Sequence, residues 1–423
     1  MRLSKVFALA ISGLIGAAGF CLTPGSQAAA PAMPNMPNMS MPGMPGMAMP
    51  PATGANVKVP DPTKVVIIVN RDSNDIAFMD IATKKIVGRT FLGNNVNPHM
   101  AMMSPDGRYV VTGGQRSNTA YIIDARTLEL VKKIPVGIAP EHLAFSPDGR
   151  FYYQGNPEGD SITVIDMQAL RPIKTIEGFA EPLNITFTPD GTKAYVGNYG
   201  AHWVGVVDVT RHELIKKIQI DQMPGIARLN PSKYLSEIKG IFNATPSADG
   251  RYLYAADGDL GVVGVIDTRE DKIIKVIRVG RDPWRLYMSH DGRYGITANN
   301  GDENISIIDT AKNEVVATLP AGPDLTGINF AGGKAFAISS TEAFLYAYDM
   351  ATLKPAGRIK IGQNLFIQTA TTDVADEKLY LASATDHSIY IVDGKTNAVE
   401  RVANVGLYPW GTHIMDSKDN YCH

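Results

Sequence analysis

Cysteine is almost missing from this chain. Its 423 residues hold two, Cys21 and Cys422. Cys21 falls in a segment that reads as a cleaved leader, so no intramolecular disulfide is expected even in an oxidising compartment. An excess of positive charge is missing too: 40 Lys and Arg stand against 42 Asp and Glu, which argues against a nucleic-acid partner. One apolar run occurs, Val6 to Phe20, and it belongs to the leader, so the mature protein is expected to have no membrane span. No G-x-S-x-G elbow, H-E-x-x-H, C-x-x-C-H or P-loop is found. Hydrolase, metalloprotease, c-type cytochrome and nucleotide-binding readings therefore lack their chemistry. No catalytic residue is nominated, and the reading leans away from an enzyme.

What is present begins with the leader. Basic Arg2 and Lys5, the apolar run and small residues around Ala28 predict a secretory signal over residues 1–28, cut after Ser26-Gln27-Ala28. Bulky Phe20 argues against Cys21 as a lipoprotein cysteine. Losing Arg2 and Lys5 leaves 38 basic against 42 acidic residues, a charge of −4. A periplasmic or secreted address follows as the expectation.

Residues 29–59 form a Met, Pro and Gly-rich arm. Within "MPNMPNMSMPGMPGMAMPP", Met33, Met36, Met39, Met41, Met44, Met47 and Met49 recur every two or three positions, and Pro and Gly keep the segment out of helix and sheet. Thioether sulfur is a soft neutral donor suited to Cu(I). The segment resembles the methionine-rich arms of extracytoplasmic copper-handling proteins, which makes copper the first expected ligand. The alternative is a plain disordered spacer.

From about residue 60 onward one pattern returns roughly every 42 residues. A β-rich run ends in Asp at "IAFMD", "AYIID", "ITVID", "VGVVD", "VGVID", "ISIID", "LYAYD" and "IYIVD", closing on Asp80, Asp124, Asp166, Asp208, Asp267, Asp309, Asp349 and Asp393. Asp followed by Thr three residues later suits a tight corner. Hairpin signatures recur as "SPDGRY", "SPDGRF", "TPDGTK", "SADGRY" and "SHDGRY", where Gly supplies the positive φ of a tight turn. Each unit thus reads as four short strands, and the whole as an all-β, eight-bladed β-propeller forming one domain over residues 60–423. The chain starts in the phase of a second strand ("KVVIIVNRD") and ends in that of a first strand ("YPWGTHIM"), so the C-terminal strand should complete the first blade. "TTDVADEKLY" and "FAGGKAF" depart from the hairpin signature, which leaves seven blades as the alternative.

These repeats resemble the YVTN family of β-propellers, through motifs such as "SPDGRYVVTGG". Relatives of that kind include cell-surface proteins, haem d1 proteins and amine dehydrogenase heavy-chain-like subunits. The resemblance implies a fold; for function it leaves open a haem d1-like or other cofactor or redox enzyme, and a scaffold docking a periplasmic protein partner.

Aligned on the Pro that opens each inner strand, the next residues are His99-Met100, Glu141-His142, Leu183-Asn184, Trp284-Arg285 and Trp410-Gly411, with His413 further along. His99, His142, Arg285 and His413 are the candidate cofactor-binding residues, since neutral imidazoles converging on an axis can ligate a metal or a haem iron. The alternative is the polar lining of a wet channel. In "PHMAMM" strand alternation puts Met100 and Met102 on one face and His99 and Met103 on the other, so the four are not expected to hold one ion. Cys422 and His423 at the C-terminus join the seven arm methionines as candidate metal ligands. A longer spacing of 59 residues between Asp208 and Asp267 marks an insertion, Asp221–Gly240, with a short helix expected over Pro231–Lys239.

Overall fold

A computed structural model describes residues 58–224, 226, 239–363 and 365–419. Met33 to Met49, Cys422, His423, the leader and, apart from Lys239, the helix expected in the insertion lie outside the described residues.

Thirty-two strands build eight four-stranded antiparallel sheets, and three short 3-10 turns are the only helical elements among the described residues. Blade 1 combines Pro409–His413 as its inner strand with Val65–Asn70, Asp75–Asp80 and Ile86–Phe91; blades 2 to 8 follow in chain order. Their inner strands are Pro98–Met103, Leu143–Phe145, Pro182–Phe187, Ile241–Pro246, Pro283–Met288, Leu325–Ala331 and Ile367–Thr372. The eight-bladed reading therefore holds. The two irregular hairpins survive by different means: Gly332 and Gly333 turn blade 7 with positive φ, and Asp376 takes that conformation in blade 8.

The second strands are buried along both faces because each blade is sandwiched between two others. In Val65–Asn70, Val65, Ile67 and Val69 pack toward blade 2 with Val110 and Ile123, while Val66 and Ile68 pack toward blade 8 with Tyr380 and Ile389. Outer strands face solvent on one side, as in the alternating burial of Glu314–Pro320.

The repeated motifs are hairpin chemistry. In Ser104–Tyr109 the Asp106 carboxylate accepts from Ser104 Oγ at 2.6 Å and from Arg108 N at 3.1 Å, and Gly107 sits at φ 67°. Arg108, Arg150, Arg251 and Arg293 each lie 4.8–5.1 Å from the ring of the following aromatic residue, a cation–π contact that accounts for the Arg-aromatic ending. At the other hairpin Asp80 Oδ1 accepts from Thr83 N and Oγ1, both at 2.7 Å. Four residues after the Asp of all eight units the backbone is left-handed, at Lys84, Leu128, Leu170, His212, Asp271, Asn313, Leu353 and Asn397.

The ring closes as expected, by pairing Ile67 with His413, Ile68 with Thr412 and Val69 with Gly411. A buried polar staple reinforces the seam. Asp75 Oδ1 accepts from Asn70 Nδ2 at 2.7 Å and Arg89 Nη1 at 3.2 Å, and the same two donors reach Val405 O at 3.1 and 2.6 Å. Gly406, at φ 147°, packs against Asn70 so closely that an added Cβ would fall 2.1 Å from its Cγ. Asp75→Ala strands the Arg89 guanidinium in the interior and is expected to cost about 3 kcal/mol, read as a lowered midpoint in urea unfolding. An unchanged midpoint would show that the staple contributes nothing to closure.

Candidate functional site

One physical device aims side chains into the channel. Where the inner strands start, six non-glycine residues (Asn97, Ala139, Glu181, Asp282, Asp324 and Tyr408) have φ between 51° and 56°. Just beyond, the pairing of inner with second strand shifts register in blades 1, 2, 4, 5, 6, 7 and 8. Such bulges leave one or two residues out of the ladder and redirect them, and they concentrate at functional sites. The redirected positions carry His99, Phe242, Trp284, Arg285 and Trp410, whereas His142 stands just ahead of the short inner strand of blade 3, which pairs in register.

These side chains form an aromatic collar. His99 lies 5.4 Å from Trp410 and 5.8 Å from His142, ring centre to ring centre; His142 lies 5.1 Å from Phe242, and Phe242 lies 4.6 Å from Trp284. On the other side Phe366 approaches Trp410 at 6.3 Å and Tyr408 at 6.4 Å. The collar thus runs from blade 6 through blades 5, 3, 2 and 1 to blade 8.

Charge is concentrated at one sector. Arg71 stacks over Trp410 at 4.1 Å and donates to Asn97 Oδ1 and Gln115 Oε1, and Gln115 Nε2 donates to Glu141 Oε1. His99, Glu141 and His142 each present one ligand atom within 4.8 Å of the others. Burial raises the Glu141 carboxyl to about 7, against the pull of the Gln115 hydrogen bond and the Arg71 charge. Burial, then the Arg71 cation and His142, hold His99 well below its ordinary value. Burial, then the Arg285 cation, bring His142 down to about 3. Both imidazoles are therefore neutral at pH 7, the form that ligates a metal.

Of the four residues read from the sequence, the fold unites His99 and His142 and places the buried Arg285 within electrostatic reach of His142. His413 stands apart from the collar. It lies three residues further down its strand than Trp410, accepts from Met103 N at 3.2 Å through Nε2, and is brought to about 4 by burial. Met100 and Met102 pack on one apolar cluster and Met103 on another, in line with the alternation expected of them. Sequence reading did not single out Arg71, Gln115, Glu141 or Phe242 as site residues. Phe242 belongs to one of three blades, with blades 7 and 8, whose inner strands open without Pro, and Arg71 and Gln115 arrive from loops of neighbouring blades.

Comparison with known proteins fits this geometry. The model of the cytochrome D1 heme domain family matches residues 57–142 and 232–327, two segments that contain Arg71, His99, Glu141, His142, Phe242, Trp284 and Arg285. The ring is similar in build to the cytochrome d1-type propellers. Among solved structures, a dihydro-heme d1 dehydrogenase, NirN, in complex with DHE superposes on this propeller with a TM-score of 0.70 at 17% identity, covering 84% of this chain and 76% of that one. Hydrazine synthase of Kuenenia stuttgartiensis gives 0.52 at 22% identity over 74% and 96% of the two chains. A functionally unknown protein of Desulfotomaculum acetoxidans gives 0.53 at 14% over 83% and 98%. At these identities the likeness is one of fold. No curated protein sequence matches the chain. Neither family model nor neighbour lends support to copper handling, the first ligand expected from the arm.

Proposed function

We propose that this d1-type propeller is an extracytoplasmic protein that binds a tetrapyrrole of the haem d1 class at its aromatic collar. The observation that carries the reading is the convergence of His99 and His142, two neutral buried imidazoles from adjacent blades, inside a ring of flat apolar side chains. His142 Nδ1 and Trp284 Nε1 are buried with no hydrogen-bond partner, an arrangement that costs free energy in an empty site and is relieved by a ligand. His142 or His99 would hold the iron, and the collar rings would pack against the macrocycle. The Arg71 and Arg285 cations would face its acidic substituents. The bound group would supply an iron centre whose behaviour the protein tunes through ligand identity and burial. No helix of the described residues is long and apolar enough to cross a membrane, and the leader read from the sequence supports a periplasmic address.

Titration of the purified full chain with haem d1, and separately with ferric protoporphyrin IX, tests this. One equivalent of haem d1 per chain is expected to bind with a shifted Soret band. Identical weak binding of both pigments, with no saturation at one equivalent, would sink the proposal.

A further inference from the structure

A second polar cluster lies among the loops at the boundary of blades 4 and 5. His202 sits in the loop after Lys193–Asn198, Asp257 ends the strand Tyr252–Asp257, and Asp259 follows in the next loop. One ligand atom from each lies within 4.8 Å of the other two. His202 Nδ1 is 2.8 Å from Asp257 Oδ2, Leu260 N donates to Asp257 Oδ1 at 3.2 Å, and Gly240 N donates to Asp259 Oδ2 at 3.0 Å. The Asp257 side chain is wholly buried, whereas His202 keeps a third of its surface, leaving a path from solvent.

Asp221 stands outside this trio and adds only its negative field at His202. Among the described residues no Lys or Arg pairs with Asp221, Asp257 or Asp259. The Asp257 and Asp259 carboxylates therefore share one imidazole as their counter-group. Buried carboxylates are tolerated where they are paired or where they coordinate a metal. One nitrogen and several carboxylate oxygens suit a borderline divalent ion, whereas calcium prefers an all-oxygen shell.

We propose that His202, Asp257 and Asp259 bind a divalent cation of the zinc or manganese class, with water completing its shell. The site has a structural consequence, because Asp221 and Gly240 are the first and last residues of the insertion, and Gly240 is held to blade 5 by both Asp259 and the Gly258 amide. An ion here, held by Asp259, fixes the Gly240 end of the insertion at the boundary of blades 4 and 5.

The test uses the full chain, stripped with EDTA and carrying His99→Ala, His142→Ala, Cys422→Ser and His423→Ala so that neither the collar trio nor the C-terminal pair adds to the count. Calorimetric titration with zinc chloride is expected to give one ion per chain. Adding Asp259→Asn, which leaves the buried His202–Asp257 pair in place, should weaken binding about 100-fold or more, and zinc should raise the unfolding temperature of the parent but not of this variant. Circular dichroism checks that the variant keeps its sheets. No saturable zinc or manganese binding below about 100 μM, an unchanged affinity in Asp259→Asn, or tighter binding of calcium than of zinc would each overturn the assignment.

Discussion

Replacing His142 by Ala is expected to weaken haem d1 binding about 100-fold, or about 2.7 kcal/mol, with only a small loss of fold stability. The separation follows from what the imidazole touches. Its Nδ1 has no partner, so truncation breaks no hydrogen bond at that atom, and the cost is the space left against Phe242 and His99, about 1–2 kcal/mol. His413→Ala should behave in the opposite way. That ring accepts from Met103 N at the seam between the closing strand and blade 2, so its loss leaves a buried amide unsatisfied at about 1–3 kcal/mol without touching the collar. Soret titrations and urea unfolding on both variants give a two-by-two comparison. If binding falls in step with stability in both, the histidine pair has no ligand role of its own.

Much of this was legible because a propeller solves one packing problem eight times. The Asp-x-x-Thr corner, the Ser-Pro-Asp-Gly hairpin and the apolar second strand each recur for a local physical reason, so the period could be counted and the closing strand identified from its phase. His99 and His142 were legible for the same reason, since each follows the Pro that opens an inner strand. What stayed hidden arises between repeats. The Arg71–Gln115–Glu141 chain joins blades 1, 2 and 3 through loops of unrelated sequence, and nothing in any one repeat announces it. Phe242 was missed because Ile241 stands where five of the eight blades have Pro, although aligning "IFNATPSADG" with "LNITFTPDG" would have placed it. The left-handed residues were hidden because they are Asn, Ala, Glu, Asp and Tyr rather than Gly. Repetition of the backbone, not side-chain identity, imposes their conformation.

One deviation from the repeat was informative in retrospect. "SHDGRY" carries His290 where "SPDGRY" has Pro, and the fold uses that change to hold the C-terminal segment. Beyond the closing strand the chain runs along the lower ends of the inner strands of blades 8 and 7. There Asp419 Oδ2 accepts from Phe330 N at 2.7 Å and Thr372 Oγ1 at 2.9 Å. His290 bridges Asp419 Oδ1 at 2.9 Å and Asp376 Oδ1 at 3.1 Å, and Asp419 is fully buried. The tail is thereby latched to blade 6.

Loss of that latch is the second large effect expected. Burial alone would lower the His290 value, but the close contact with Asp419 and the charges of Asp419 and Asp376 outweigh it and the opposing Lys418, so the net shift is upward. A raised value in the folded state means that the latch stabilises fully below the unfolded value of about 6.5 and fades as pH climbs through the folded one. His290→Ala leaves Asp419 buried without its counter-group and should cost about 3 kcal/mol at pH 6, with the gap to the parent protein narrowing steadily in more alkaline buffer. Asp376→Asn should cost less, because that carboxylate keeps a third of its surface in water and is screened. Differential scanning calorimetry from pH 5.5 to 9 reads the gap directly. A gap that is constant with pH, or that widens toward the alkaline end, would show that His290 holds the tail as a neutral ring and that the bridge to Asp419 is not an ion pair.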